Sequence, residues 1–125
     1  MTNSDHPSDE SLVEAFRGGD ASGYRTLIER HHDDLIRFLT RLVGDRTAAD
    51  DLFQETFLHV YQSADSFDVS RRFRPWLFTI AANKARDHLR KQGRRRTVEL
   101  SAPVGRGDDG RGASFVDLME VDIPA

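Results

Sequence analysis

Apolar residues recur every three or four positions through most of the chain, and no stretch of four or more alternates convincingly between apolar and polar. That spacing builds the buried stripe of an α-helix and denies a β-strand its two-faced pattern, so the chain can fold only by packing helices together. The clearest stripe follows Asp20: Tyr24, Leu27, Ile28, Leu35, Phe38, Leu39, Leu42 and Val43, closed by Gly44. A shorter one, Leu12, Val13 and Phe16, precedes it, with Ser8 or Asp9 as cap and Gly18-Gly19 as terminator. A third turns Ala49, Leu52, Phe53, Phe57, Val60 and Tyr61 inward, and Thr47 with Asp50 resembles a capping box at its start. Pro75 suits the first turn of a fourth helix, which carries Trp76, Leu77, Ile80, Ala81, Ala85 and Leu89 and stops at Gly93. Residues 64–74 break the period and read as a loop. Four helices with short connections predict an all-α fold, a compact helical bundle.

With 125 residues there is material for one core, placed here over residues 8–96. Residues 1–7 are polar and read as a disordered N-terminus. Residues 101–114, rich in glycine and aspartate, cannot build a core, so 97–125 read as an acidic linker. The absence of cysteine removes disulfides and thiolate zinc sites and fits a reducing compartment. No apolar run approaches the roughly 20 residues that span a bilayer, and the polar N-terminus is no signal peptide. A cytoplasmic location is expected.

Charge is sharply segregated. Residues 71–96 hold ten Lys or Arg against one acid, Asp87, whereas residues 1–70 hold six basic and fourteen acidic side chains, and the whole chain nets −3. So dense a positive segment suits a polyanionic partner, although a solvated helix face gives the same count. Phe73, Trp76 and Phe78 lie inside the basic run, and cations interleaved with aromatics bind unstacked bases along a phosphate backbone. Core packing is the plainer use of those rings. Asn83, Lys84, Arg86, Asp87, Arg90 and Lys91 fall on or beside the outer face of the fourth helix, and the 67–74 loop can cradle an extruded base. The third helix carries Asp50, Asp51, Gln54, Glu55 and Leu58 opposite Phe53, Phe57 and Val60. That acidic, partly apolar face is either solvated surface or a dock for a basic protein.

Catalysis finds no footing. His31 and His32 are adjacent and point about 100° apart on a helix. Glu55 and His59 come together at i and i+4, but the pair of Glu-x-x-His motifs of a di-metal bundle is missing. No phosphate-binding glycine loop or nucleophile elbow occurs. The expectation is a non-enzyme with no catalytic residue, no metal and no cofactor.

The run DDLFQETFLHVYQSADSF followed by RPWLFTIAANKARDHLRKQGRRR resembles region 2 of bacterial sigma factors of the sigma-70 family, above all the extracytoplasmic-function (ECF) group. LVEAFRGGDASGYRTLIERHHDDLIRFLTRLVGD resembles the start of that domain, so the likeness covers residues 9–96. It implies a transcription initiation factor. Asp51, Gln54, Glu55 and Leu58 would contact the β′ coiled coil of core RNA polymerase. Ser63, Phe67, Ile80 and Asn83 would line a base pocket for the non-template strand of the promoter −10 element, and Arg71, Arg72, Arg74, Lys84, Arg86, Arg90 and Lys91 would hold phosphates. An anti-sigma factor is a further partner the resemblance implies. So is a helix-turn-helix domain beyond residues 97–125. Thr79 stands where many relatives carry a basic residue. Two rivals remain open: a helical protein-interaction module, an adaptor or inhibitor-binding bundle that does not bind DNA, and a small metal-dependent enzyme.

Overall fold

The computed structural model describes residues 6–100, with side chains to residue 93. The expected disordered N-terminus falls almost wholly, and the linker beyond residue 100 wholly, outside the described residues. Helices α1 (Asp9–Arg17), α2 (Ala21–Val43), α3 (Arg46–Ser63) and α4 (Phe73–Leu100) form the bundle, with a 3-10 turn (Ala64–Ser66) opening the α3–α4 loop. Among the described residues there is no strand.

Each helix starts where a side chain can accept from its free N–H groups. Ser8 accepts from the Ser11 N–H at 3.1 Å, and Asp20 from that of Ser22 at 3.0 Å. For α3 the cap is Asp45, taking the Ala48 N–H at 3.1 Å, not the Thr47–Asp50 pair. Asp50 instead faces Arg46 at 3.0 Å, one turn back along the same helix. Gly44 ends α2 at φ 73°, a left-handed turn that glycine enters without steric cost.

α2 runs through the centre and packs against the other three helices. Leu27, Leu35, Phe38 and Leu39 from α2, Leu52, Phe57 and Val60 from α3, and Phe73, Leu77, Phe78, Ala81 and Ala85 from α4 form one continuous core, with Leu12 and Val13 of α1 closing it. α1 lies unusually close to α2: a Cβ added at Gly23 would sit 2.7 Å from the Leu12 carbonyl oxygen.

Three further expectations need correction. Tyr61 is 60% exposed rather than inward, its ring stacked at 6.2 Å on Phe16 and edge-on to Tyr24 at 5.4 Å. α4 begins at Phe73, inside the expected 64–74 loop, and Pro75 falls in its first turn as expected, where its missing N–H costs no helical bond. α4 also continues through Gly93 to Leu100. Glycine costs a helix interior only about 1 kcal/mol, too little to stop it without a left-handed turn.

Candidate nucleic-acid interface

The α3–α4 loop and the first turns of α4 enclose an open groove of about 620 Å³. The loop supplies Ser66, Phe67, Asp68, Arg71 and Arg72, and α4 supplies Pro75, Trp76 and Thr79. Arg72, Pro75, Trp76 and Thr79 follow one another at helical spacing, which is why one face of α4 forms a wall. The floor is aromatic. Phe67, only 5% exposed, meets the Trp76 ring at 4.6 Å and the Phe73 ring edge-on at 5.9 Å, and Trp76 remains partly open to solvent. Asp68 shapes the lip by accepting the Ser70 N–H at 2.9 Å and its hydroxyl at 2.7 Å. Those two bonds hold its carboxyl below the ordinary carboxylate range. Arg71 is exposed and only 3.8 Å from Asp68, a loose pair that leaves its guanidinium facing water.

Of the four residues expected to hold a base, Phe67 lines this groove. Asn83 is exposed one turn further along α4, and its Oδ1 lies 3.4 Å from Arg86 Nη2. Ser63 is half-buried at the end of α3, where its carbonyl accepts from the Ser66 hydroxyl at 2.9 Å. Ile80 is 8% exposed and packs in the core, because it falls on the Phe73–Leu77 side of α4. Trp76 and the 67–74 loop were expected near a base, but Ser66, Pro75 and Thr79 were not singled out as base contacts, although the i, i+3, i+4 run from Arg72 was a legible signal for Pro75 and Thr79.

Arg74 also departs from expectation. Its side chain is 19% exposed and is used inside the protein. Nη2 donates to Asp34 at 3.0 Å, Nη1 to His31 Nδ1 at 2.9 Å, and the guanidinium lies 4.7 Å over the Phe78 ring. Since Arg74 can only donate, His31 Nδ1 accepts, and the hydrogen on Nε2 goes to Asp9 at 2.9 Å. Burial pulls Asp9 upward, but the hydrogen bonds from His31 and Arg30 and the adjacent positive charge outweigh it and hold the carboxyl below its ordinary value. This seam joins α1, α2 and α4 under the groove. Among the other expected phosphate contacts, Arg72, Arg90 and Lys91 are exposed and Lys84 is half-buried. Arg86 is half-buried too, with a buried Nε that lacks a protein partner.

A second surface lies on α3. Asp51, Gln54 and Glu55 are exposed at helical spacing, and Leu58, 54% exposed, continues their line. Exposed Tyr61 follows three residues later, so an acidic stripe ends in two large apolar side chains. Among the described residues no cluster of three potential metal ligands occurs, and no helix is long and apolar enough to cross a membrane.

Fold and charge thus define an all-α domain with one acidic and one basic surface. The profile of the Sigma-70 region 2 family matches residues 27–95, more than half of the chain, and the protein belongs to that family. It is 45% identical over 80 residues to the RNA polymerase sigma factor CarQ of Myxococcus xanthus, covering 64% of this chain and 46% of CarQ. Over 88 residues it is 38% identical to the ECF RNA polymerase sigma-E factor of Haemophilus influenzae, covering 70% and 46%. The chain therefore spans a little under half the length of these relatives. Among solved structures, an engineered region 2 of sigmaE in complex with GTAAAA superposes with a TM-score of 0.65 at 36% identity, covering 70% of this chain and 92% of that one. CnrH in complex with the cytosolic domain of CnrY gives 0.60 at 28% identity, covering 80% and 69%. The ECF resemblance read from the motifs stands.

Proposed function

We propose that the protein is the region 2 part of an ECF-type bacterial transcription initiation factor, acting in the cytoplasm through binding and not through catalysis. α3 docks on core RNA polymerase at the β′ coiled coil through Asp51, Gln54, Glu55 and Leu58. The α3–α4 groove takes unpaired bases of the non-template −10 strand. The observation that carries this reading is the groove itself: rings of Phe67 and Trp76 beneath exposed Arg71 and Arg72, on a chain 36% identical to a region 2 held in complex with GTAAAA.

The energetics suit capture of an opened strand. Separating DNA forfeits about 1.4 kcal/mol per stacked step. Stacking on aromatic side chains returns about 1–3 kcal/mol per base, so a few captured bases offset a short melted stretch. Arg71, Arg72, Lys84, Arg86, Arg90 and Lys91 hold phosphates and position the strand without reading it. Arg74 leaves this set because Asp34 and His31 already engage it. Asn83 stands where it can meet a base next to the groove. An anti-sigma factor is a further partner, a reading supported by the protein-bound state of CnrH.

Core capture tests the polymerase half. Wild type and Gln54→Ala/Glu55→Lys, matched by circular dichroism, are used to pull down core RNA polymerase. Retention by wild type and loss in the double variant is expected. Failure of wild type to retain core would sink the reading in favour of an unrelated interaction module.

A further inference from the structure

The loop that forms the groove has few bonds of its own. Phe67 N–H reaches the Ala64 carbonyl at 3.2 Å, Arg71 N–H reaches that of Asp68 at 2.9 Å, and Asp68 holds Ser70. Both ends of the loop are instead tied to α1. At the α3 end, Arg17 Nη1 donates to the carbonyls of Ala64 at 3.1 Å and Phe67 at 2.9 Å. At the α4 end, the Phe73 N–H donates to Glu10 Oε2 at 2.6 Å. Glu10 and Arg17 are seven residues apart, two turns along one face of α1, and their chemistry is matched to what they hold. A guanidinium can satisfy several carbonyls at once, and a carboxylate accepts a free N–H at a helix start, where negative charge is also favoured. Leu12 and Val13 keep α1 packed independently of either contact.

From this we infer that α1, all of which precedes the family match at residues 27–95, is the brace of the groove, and that Glu10 and Arg17 are positioning residues for nucleic-acid binding. The inference rests on the nucleic-acid reading above. Neither residue lines the groove. Each acts by fixing the path of residues 64–73, and with it the spacing of Phe67 from Trp76 and the aim of Arg71 and Arg72.

Electrostatics gives the inference an opposite-sign control. Removing a carboxylate from a protein that binds a polyanion strengthens binding through charge alone. Loss of the brace weakens it. The 125-residue wild type, Glu10→Ala, Glu10→Gln, Arg17→Ala and Glu14→Ala are compared by hydrogen exchange over residues 64–73. All but Arg17→Ala, which changes the attractive charge, are titrated with labelled single-stranded GTAAAA and TTTTTT. Glu14 is an exposed acid on the same helix and supplies the charge control. Glu10→Ala is expected to speed exchange of the loop by about tenfold or more, the factor that loss of a charged hydrogen bond corresponds to. It is also expected to bind GTAAAA several-fold more weakly, with a narrower margin over TTTTTT, while Glu14→Ala binds as well as wild type or better. Glu10→Gln keeps an acceptor oxygen and recovers most of both. Arg17→Ala speeds exchange at residues 64–67. Exchange unchanged in Glu10→Ala, or tighter binding that parallels Glu14→Ala, overturns the brace. Wild type binding neither hexanucleotide would overturn the nucleic-acid reading, and the exchange pattern would still decide whether α1 braces the loop.

Discussion

At Gly23 a single hydrogen atom decides how close two helices can come. Alanine is the better helix former by up to ~1 kcal/mol, yet its Cβ would lie 2.7 Å from a backbone oxygen that cannot swing away. Overpacking of this kind costs about 1–3 kcal/mol, so Gly23→Ala should lower stability by roughly 1–2 kcal/mol in urea melts. Gly93→Ala, with nothing within 4 Å of the new Cβ, should raise it slightly. Asp9 offers a test with a definite sign. Its carboxyl binds a proton less readily in the folded protein than in the unfolded chain, so its stabilisation is complete above the unfolded value and is lost as pH falls through the folded one. The penalty for Asp9→Asn, measured by urea melts, should therefore shrink on going from about pH 7 to about pH 3. A penalty that stayed level would mean that geometry, not ionisation, sets the contribution of Asp9.

α4 marks the boundary between what its own sequence shows and what it hides. The apolar period of Leu77, Ala81 and Ala85 was legible because local spacing and burial agree. The start at Phe73 was not, since its N–H is satisfied by Glu10, sixty-three residues earlier, and no local pattern announces that partner. Arg74 misled for a related reason. Within its run it is one arginine among many, and only the arrival of His31 and Asp34 from α2 commits it to the interior. α3 was easier, because Asp51, Gln54, Glu55 and Leu58 show their common face by spacing alone, although Tyr61 was placed inward and instead lies on the surface. Thr79 tests the wall of the groove. It is exposed, its hydroxyl donates back to the Pro75 carbonyl at 2.8 Å, and a longer side chain there meets no core. Thr79→Lys should tighten oligonucleotide binding a few-fold in anisotropy titrations, about one added phosphate contact. No gain would move the strand off this face.

Across the whole molecule, the segregation of charge separates two kinds of binding. The acidic face of α3 and the basic groove and outer face of α4 would repel each other's partners, so on the proposed function core polymerase and DNA need not compete for one surface. The same segregation sets how far salt should reach into the DNA half. A single strand loses affinity with a slope of about −0.7 in log K against log salt for each phosphate neutralised, and Arg71 and Arg72 are the exposed cations lining the groove. A hexanucleotide confined to the groove should therefore show a slope near about −1.4. Longer strands should steepen it as they come within reach of Lys84, Arg90 and Lys91 on the outer turns of α4. Arg72→Ala should remove about 0.7 from the hexanucleotide slope and leave the increment with length intact. A slope already steep for the hexanucleotide and indifferent to Arg72 would mean that the strand lies along α4 as a diffuse polyanion. A shallow slope that grows with length would instead place the first captured base against Trp76, with the helix serving as the track that carries the rest of the strand.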